Sequence, residues 1–261
     1  MKIHDLEAHF RSAGDWVNWD ATVDGVKAGD PNREIQKIAV AWNPTWDALK
    51  DAHARGADLF ISHESLAVRG NKGQEEPSAL PTEKPKFEWL RKTGIVVWRC
   101  HDFWDIYPEE GIRASWHRGL QLEGRIIAED RVLVTEIEPR PVIELARHVL
   151  RCIKPLGQTG VLLTGPRNQV VSRIATGYGV THDIPHMLKL GADVGVVTDD
   201  YFLHVRMGAH ARELNFPTIG VNHGVSEEWG IQNLARHITQ TFRDISVFHI
   251  PQKCPYDLIT G

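Results

Sequence analysis

Apolar residues in this chain fall into short dense runs, separated by stretches with helical spacing. Residues 38–42 (Ile-Ala-Val-Ala-Trp) read as a buried strand, broken by Asn43-Pro44-Thr45. Residues 46–55 then read as a helix, with Gly56 as its stop. Residues 57–62 form the next strand. Strand, helix, strand in this order favours parallel pairing through a right-handed crossover. Residues 1–20 have the pattern of a short amphipathic helix and a turn, and residues 69–85 that of an exposed loop rich in Gly, Glu, Lys and Pro. A helix over 85–92, stopped by Gly94, leads to a third strand at 95–98.

The pattern changes after residue 119. Residues 120–123, 125–128 and 131–137 read as short strands, and 139–153 as a helix with Val142, Leu145, Ala146, Val149 and Ile153 on one face. Further strands are predicted at 161–163, 170–175, 194–197 and 218–221, with helices at 182–189 and 207–214. The fold class is therefore α/β, with a second α/β layer. Gly191-Ala-Asp193 after a helix echoes Gly56-Ala-Asp58.

Composition narrows the functions. The chain has 261 residues, 30 Lys plus Arg and 34 Asp plus Glu, a formal charge of −4. That balance argues against direct nucleic-acid binding, which needs a basic face, and leaves nucleotides open as small substrates. Cys100, Cys152 and Cys254 give neither a disulfide framework nor a thiolate zinc site. The start is not a secretory signal and no apolar run is long enough for a bilayer, so a reducing cytoplasm and no membrane are expected. Among nine Trp, Trp16, Trp19, Trp104 and Trp116 are candidates for a pocket or a subunit contact.

Four separated segments carry metal-ligand chemistry. They are Ile61-Ser-His63-Glu64-Ser, His101-Asp-Phe-Trp-Asp105, Asp199-Asp-Tyr-Phe-Leu-His204 and Asn222-His223-Gly-Val-Ser-Glu227. Three follow apolar runs, and the carboxyl ends of parallel strands are where α/β folds place chemistry. Imidazoles and carboxylates delivered there can hold divalent ions. His101/Asp105 and His223/Glu227 are each four residues apart, a spacing that puts both on one helix face. Simpler roles compete: Ser62 as a helix cap before Glu64, Asp102 as a cap in a polar loop, and Ser226 as cap of a helix that Glu227 opens. The adjacent acids Asp199 and Asp200 need solvent, protons or a cation. The Gly-containing turn from Thr176 to His182 offers backbone donors for an anion.

Taken in order, these segments resemble the NIF3-like family, also called DUF34 and known as GTP cyclohydrolase 1 type 2-like. Its Gly-Ala-Asp strand running into His-His-Pro is matched by Gly56 through Ser65, its His-Thr-x-x-Asp by His101 to Asp105, its second Gly-Ala-Asp strand by Gly191 through His204, and its Gly-His-x-x-Ser/Thr-Glu by Asn222 to Glu227. The resemblance implies two interleaved α/β domains, residues 1–119 with 215–261 and residues 120–214, and a metal site in the cleft between them. It implies two divalent ions (Zn, Fe or Mn, with Mg a further candidate) and a homo-oligomer, a dimer or a toroidal hexamer. Carried over by position, the metal shell is His63, Glu64, His101, Asp105, His223 and Glu227, with Glu64 standing where the family has its second His. Glu64 and His204 are the candidate proton carriers. Asp199, in a position where the family usually has Gly, is a further departure.

The leading expectation is a metal-dependent hydrolase of a small, nucleotide-like substrate, using a metal-activated water. Its rival is a metal-binding structural or regulatory assembly protein without turnover. The sequence leaves open whether the chain is an enzyme.

Overall fold

A computed structural model describes residues 1–261 except Arg69, Asn71, His182, residues 204–206, Leu258, Thr260 and Gly261. The chain divides into two compact units, Met1–Gly111 with Ile231–Pro251, and Ile112–Gly230 with Gln252–Gly261.

The first unit opens with helix α1 (Ile3–Ala13), which buries Ile3, Leu6 and Phe10. Strands β1 (Gly25–Ala28) and β2 (Lys37–Ala41), helix α2 (Trp46–Ala54) and strand β3 (Leu59–Ser62) follow. Helix α3 (Glu83–Thr93), strand β4 (Val96–Arg99) and the single turn α4 (Asp102–Asp105) complete this stretch. β2, β3 and β4 pair in parallel, as the strand-helix-strand order predicts. Covered on both faces, a parallel strand is a continuous apolar run, and all four residues of β3 are buried. Thr45 caps α2 by accepting from the Ala48 N–H at 3.3 Å.

The second unit runs through helix α5 (Ile112–Gly119), strands β5 (Gly124–Glu129) and β6 (Leu133–Pro141), and helix α6 (Val142–Ile153), which buries the five predicted apolar positions. Strands β7 (Leu162–Thr164) and β8 (Val170–Thr176), helix α7 (Ile184–Lys189) and strand β9 (Val194–Thr198) come next. Short helices α8 (Asp199–Leu203) and α9 (Met207–Glu213) lead to strand β10 (Thr218–Val221) and helix α10 (His223–Thr241). Strand β11 (Ser246–His249) then returns to the first unit and pairs in parallel with β2.

Among the described residues, the first unit's sheet has the order β1-β4-β3-β2-β11 and the second unit's β5-β6-β8-β9-β10-β7. Phe60, Leu49 and Val97 sit in one core, and Val197, Tyr201 and Phe216 in the other. Two sequence readings change. Residues 120–123 are not a strand: α5 ends at Gly119, and the Leu120 carbonyl instead accepts from His148 and Cys152 on α6. Residues 112–119, 215–230 and 252–261 lie in the second unit rather than the first, with β10 paired to β9 and β7.

The two Gly-Ala-Asp segments are one local device used twice. Gly56 and Gly191 end helices with φ +77° and +86°. The aspartate that follows then accepts backbone N–H groups of the neighbouring strand, Asp58 from Lys37 on β2 and Asp193 from Arg173 on β8.

Candidate metal centre

His63 leaves the end of β3 into a turn held from two sides. The N–H groups of His63 and Glu64 both donate to the Trp42 carbonyl, at 3.0 and 2.8 Å. Ser62 caps no helix here; its hydroxyl donates to the Glu64 carbonyl at 2.8 Å. The His63 ring is fully buried, and its Nδ1 lies 3.0 Å from the Cys100 carbonyl. A carbonyl can only accept, so Nδ1 carries the proton and Nε2 keeps a lone pair in the neutral ring. That lone pair faces Asp105 Oδ1 at 3.4 Å.

His101 is placed by an acid that the sequence reading missed. Asp24, just before β1, accepts the N–H groups of His101, Asp102 and Phe103 at 2.6, 3.0 and 2.8 Å. It does what Asp102 was expected to do, and nothing in its local sequence marks it. Burial pushes the Asp24 carboxyl up, while the backbone donors pull it down. Asp102 instead holds His101 Nδ1 at 2.9 Å and accepts from the Thr22 hydroxyl at 2.8 Å. The bond to His101, against the opposing effect of burial, holds the Asp102 carboxyl down at about 2. His101 Nδ1 is thereby committed to a carboxylate, as His63 Nδ1 is to a carbonyl, and Nε2 becomes the donor atom of each ring.

The two rings stack, 4.5 Å between centroids and 15° between planes. Asp105, on the last position of α4, lies 3.7 Å from His101 Nδ1 through Oδ2. Ligand atoms of His63, Glu64 and His101 lie within 4.8 Å of one another. Asp105 Oδ1 is buried and takes no hydrogen bond among the described residues. A carboxylate oxygen facing an imidazole lone pair needs a proton or a cation between them. This donor set of two nitrogens and carboxylate oxygens fits a divalent ion of borderline character.

The second unit builds a set of its own at the start of α10. Asp199 accepts from Asn222 Nδ2 and from the His223 N–H, both at 2.8 Å. Asn222, rather than Ser226, caps the helix by accepting from the Val225 N–H at 3.2 Å. Ser226 lies inside the helix and donates to the His223 carbonyl at 2.6 Å. His223 stands between two acids, with Nδ1 at 2.7 Å from Asp200 and Nε2 at 3.1 Å from Glu227. Glu227 is buried. The Gly177–Gly179 turn offers no open anion cradle here: a Cβ at Gly179 would stand 2.6 Å from Glu227 Oε1. His204, the predicted proton carrier, and His182 lie outside the described residues.

A family model described as Duf34/NIF3 (NGG1p interacting factor 3) matches residues 1–255. The chain belongs to this family. It is 26% identical over 217 residues to the GTP cyclohydrolase 1 type 2 homolog of Clostridium perfringens (strain 13 / Type A), which spans 79% of each chain. Its fold is similar to that of a Bacillus cereus protein related to NIF3, with a TM-score of 0.81 at 13% identity over 99% of both chains. The Staphylococcus aureus hypothetical protein SA1388 gives a TM-score of 0.79 at 18% identity over 99% of both. At these identities the structures establish a shared NIF3 fold. Among the described residues no helix is long and apolar enough to cross a membrane.

Proposed function

We propose that the chain is a divalent-metal-dependent hydrolase acting on a small substrate. One ion would be held by His63, His101 and Asp105, with Glu64 beside them. A second would be served by His223 and Glu227, giving the two ions of the family resemblance. The observation that carries this reading is the commitment of both Nδ1 atoms, which leaves His63 Nε2 pointing at Asp105.

A bound divalent cation supplies Lewis-acid stabilisation of developing negative charge and acidifies a water molecule. The remaining work falls to side chains. The Cys100 carbonyl and Asp102 fix the two imidazoles, so no reorientation is needed during reaction. Glu64, with a side chain 20% exposed, is the carboxylate placed to take a proton from water and pass it out. Burial of His63 keeps bulk water off one side of the set.

The test is a substrate panel of phosphoesters, formamides and purine nucleotides, run with and without a chelator. Metal content is measured alongside on the parent, Glu227→Gln and Asp105→Asn. The reading requires turnover that is lost on chelation and in both variants. Turnover unchanged in both would end it.

A further inference from the structure

Arg99 is the last residue of β4, directly before Cys100 and His101, and it is 9% exposed. Its Nε donates to the His63 carbonyl at 2.9 Å. Its Nη2 lies 3.5 Å from Glu64 Oε2. Gly70 covers it closely enough that a Cβ there would sit 3.2 Å from Nη1. The guanidinium is therefore anchored by the backbone of a candidate ligand and covered from outside. Arg stays charged across the pH range of a folded protein, so this is a fixed positive charge.

Charge balance gives the consequence. Three carboxylates surround the two stacked rings: Glu64, Asp102 and Asp105. Behind them, Glu75 and, more weakly, Asp24 face the buried Lys27 ammonium on β1. Against the three carboxylates, the Arg99 guanidinium leaves two negative charges. One dication neutralises these; a second would add an excess of positive charge next to a buried guanidinium.

Resting on the metal-binding reading above, we propose that Arg99 is the counter-cation of Glu64 and limits the His63–Glu64–His101–Asp105 set to one divalent ion. Arg99 is a positioning residue. It holds the Glu64 carboxylate and takes the place, in charge, of a further metal ion.

The experiment titrates the full-length metal-free chain with Mn²⁺, by calorimetry and by the electron paramagnetic resonance signal of free Mn²⁺. All variants carry His223→Gln, which removes the second unit's imidazole ligand, and each is checked for folding by its melting curve. The parent should bind one ion. Arg99→Gln should bind a second, or bind the first about tenfold more tightly, because a fixed repulsive charge is gone. Arg99→Lys, which keeps the charge, should restore parent behaviour. Glu64→Gln/Arg99→Gln, which removes the pair as a neutral unit, should hold the first ion within about twofold of the parent and gain no second. Arg99→Gln binding like the parent would overturn the proposal. So would a double variant that loses the first ion, since Glu64 would then be an obligatory ligand; this arm decides the matter if Arg99→Gln alone fails to fold. No Mn²⁺ bound by any variant, with Zn²⁺ equally excluded, would remove the metal-binding reading itself and this proposal with it.

Discussion

Asp24 holds His101 in place through the backbone, accepting its N–H at 2.6 Å and those of the next two residues. The acid comes from a segment 77 positions earlier in the chain and acts as the cap of a one-turn helix. Replacing it by Asn keeps one acceptor and loses the charge. Asp24→Asn should cost about 1–3 kcal/mol in a denaturation experiment, the range for a buried charge-assisted hydrogen bond. It should also weaken metal binding by about tenfold or more, as loss of an outer support does at metal sites. Unchanged Zn²⁺ or Mn²⁺ affinity in a folded Asp24→Asn chain would show that this cap does not set the position of His101.

Gly179 leaves no room above Glu227. Its φ is +48°, and a Cβ would meet both Glu227 Oε1 and His223 Nε2, at 2.6 and 3.3 Å. Gly179→Ala should lose about 1–2 kcal/mol from the left-handed backbone alone. It should also push Glu227 away from His223, so metal content should fall along with stability. A Gly179→Ala chain with full metal content would separate the turn from the site.

A histidine pair in the first unit should make stability depend on pH. His9 Nε2 and His237 Nε2 are 2.9 Å apart, so one donates and the other accepts, and neither is doubly protonated. Burial pushes both imidazoles below the ordinary value of 6.5, with the neighbouring ring adding to the effect on His9 and Glu110 opposing it on His237. Below about 6.5 the unfolded chain then binds more protons than the folded one. The stability conferred by a lowered pKa is present above the unfolded value and is lost as pH falls through it toward the folded value. The urea midpoint should therefore drop between about pH 7.5 and about pH 5.5. His9→Phe, placed among Phe10 and Phe242, should show a smaller drop. An equal drop in parent and variant would assign the effect to other groups.

Much of this architecture is visible in the sequence because of how its strands are buried. β2, β3, β4, β9 and β10 each pair in parallel with a neighbour inside mixed sheets, and they appear as unbroken apolar runs, with candidate ligands directly after β3 and β4. β1 is Gly-Val-Lys-Ala with a buried Lys27, and no apolar pattern marks it. β11 is four residues long and only half-buried, and its pairing with β2 is a long-range fact. α5 mixes Trp116 with His117 and Arg118, and the Leu120 that follows it is buried, which gives the false impression of a strand. The candidate ligand types are readable because His and Asp or Glu recur at fixed spacing. Asp24, Arg99 and the Cys100 carbonyl are not, because each acts through a contact made only when distant segments fold together.

The most direct test is diffraction from crystals of the full chain grown with Zn²⁺ or Mn²⁺, with data collected on both sides of the metal absorption edge. An anomalous peak bonded to His63 Nε2 and Asp105 is expected, and it should be lost in Asp105→Asn crystals grown the same way. Absence of any peak there in the parent, with His63 Nε2 donating a hydrogen bond directly to Asp105, would contradict this expectation.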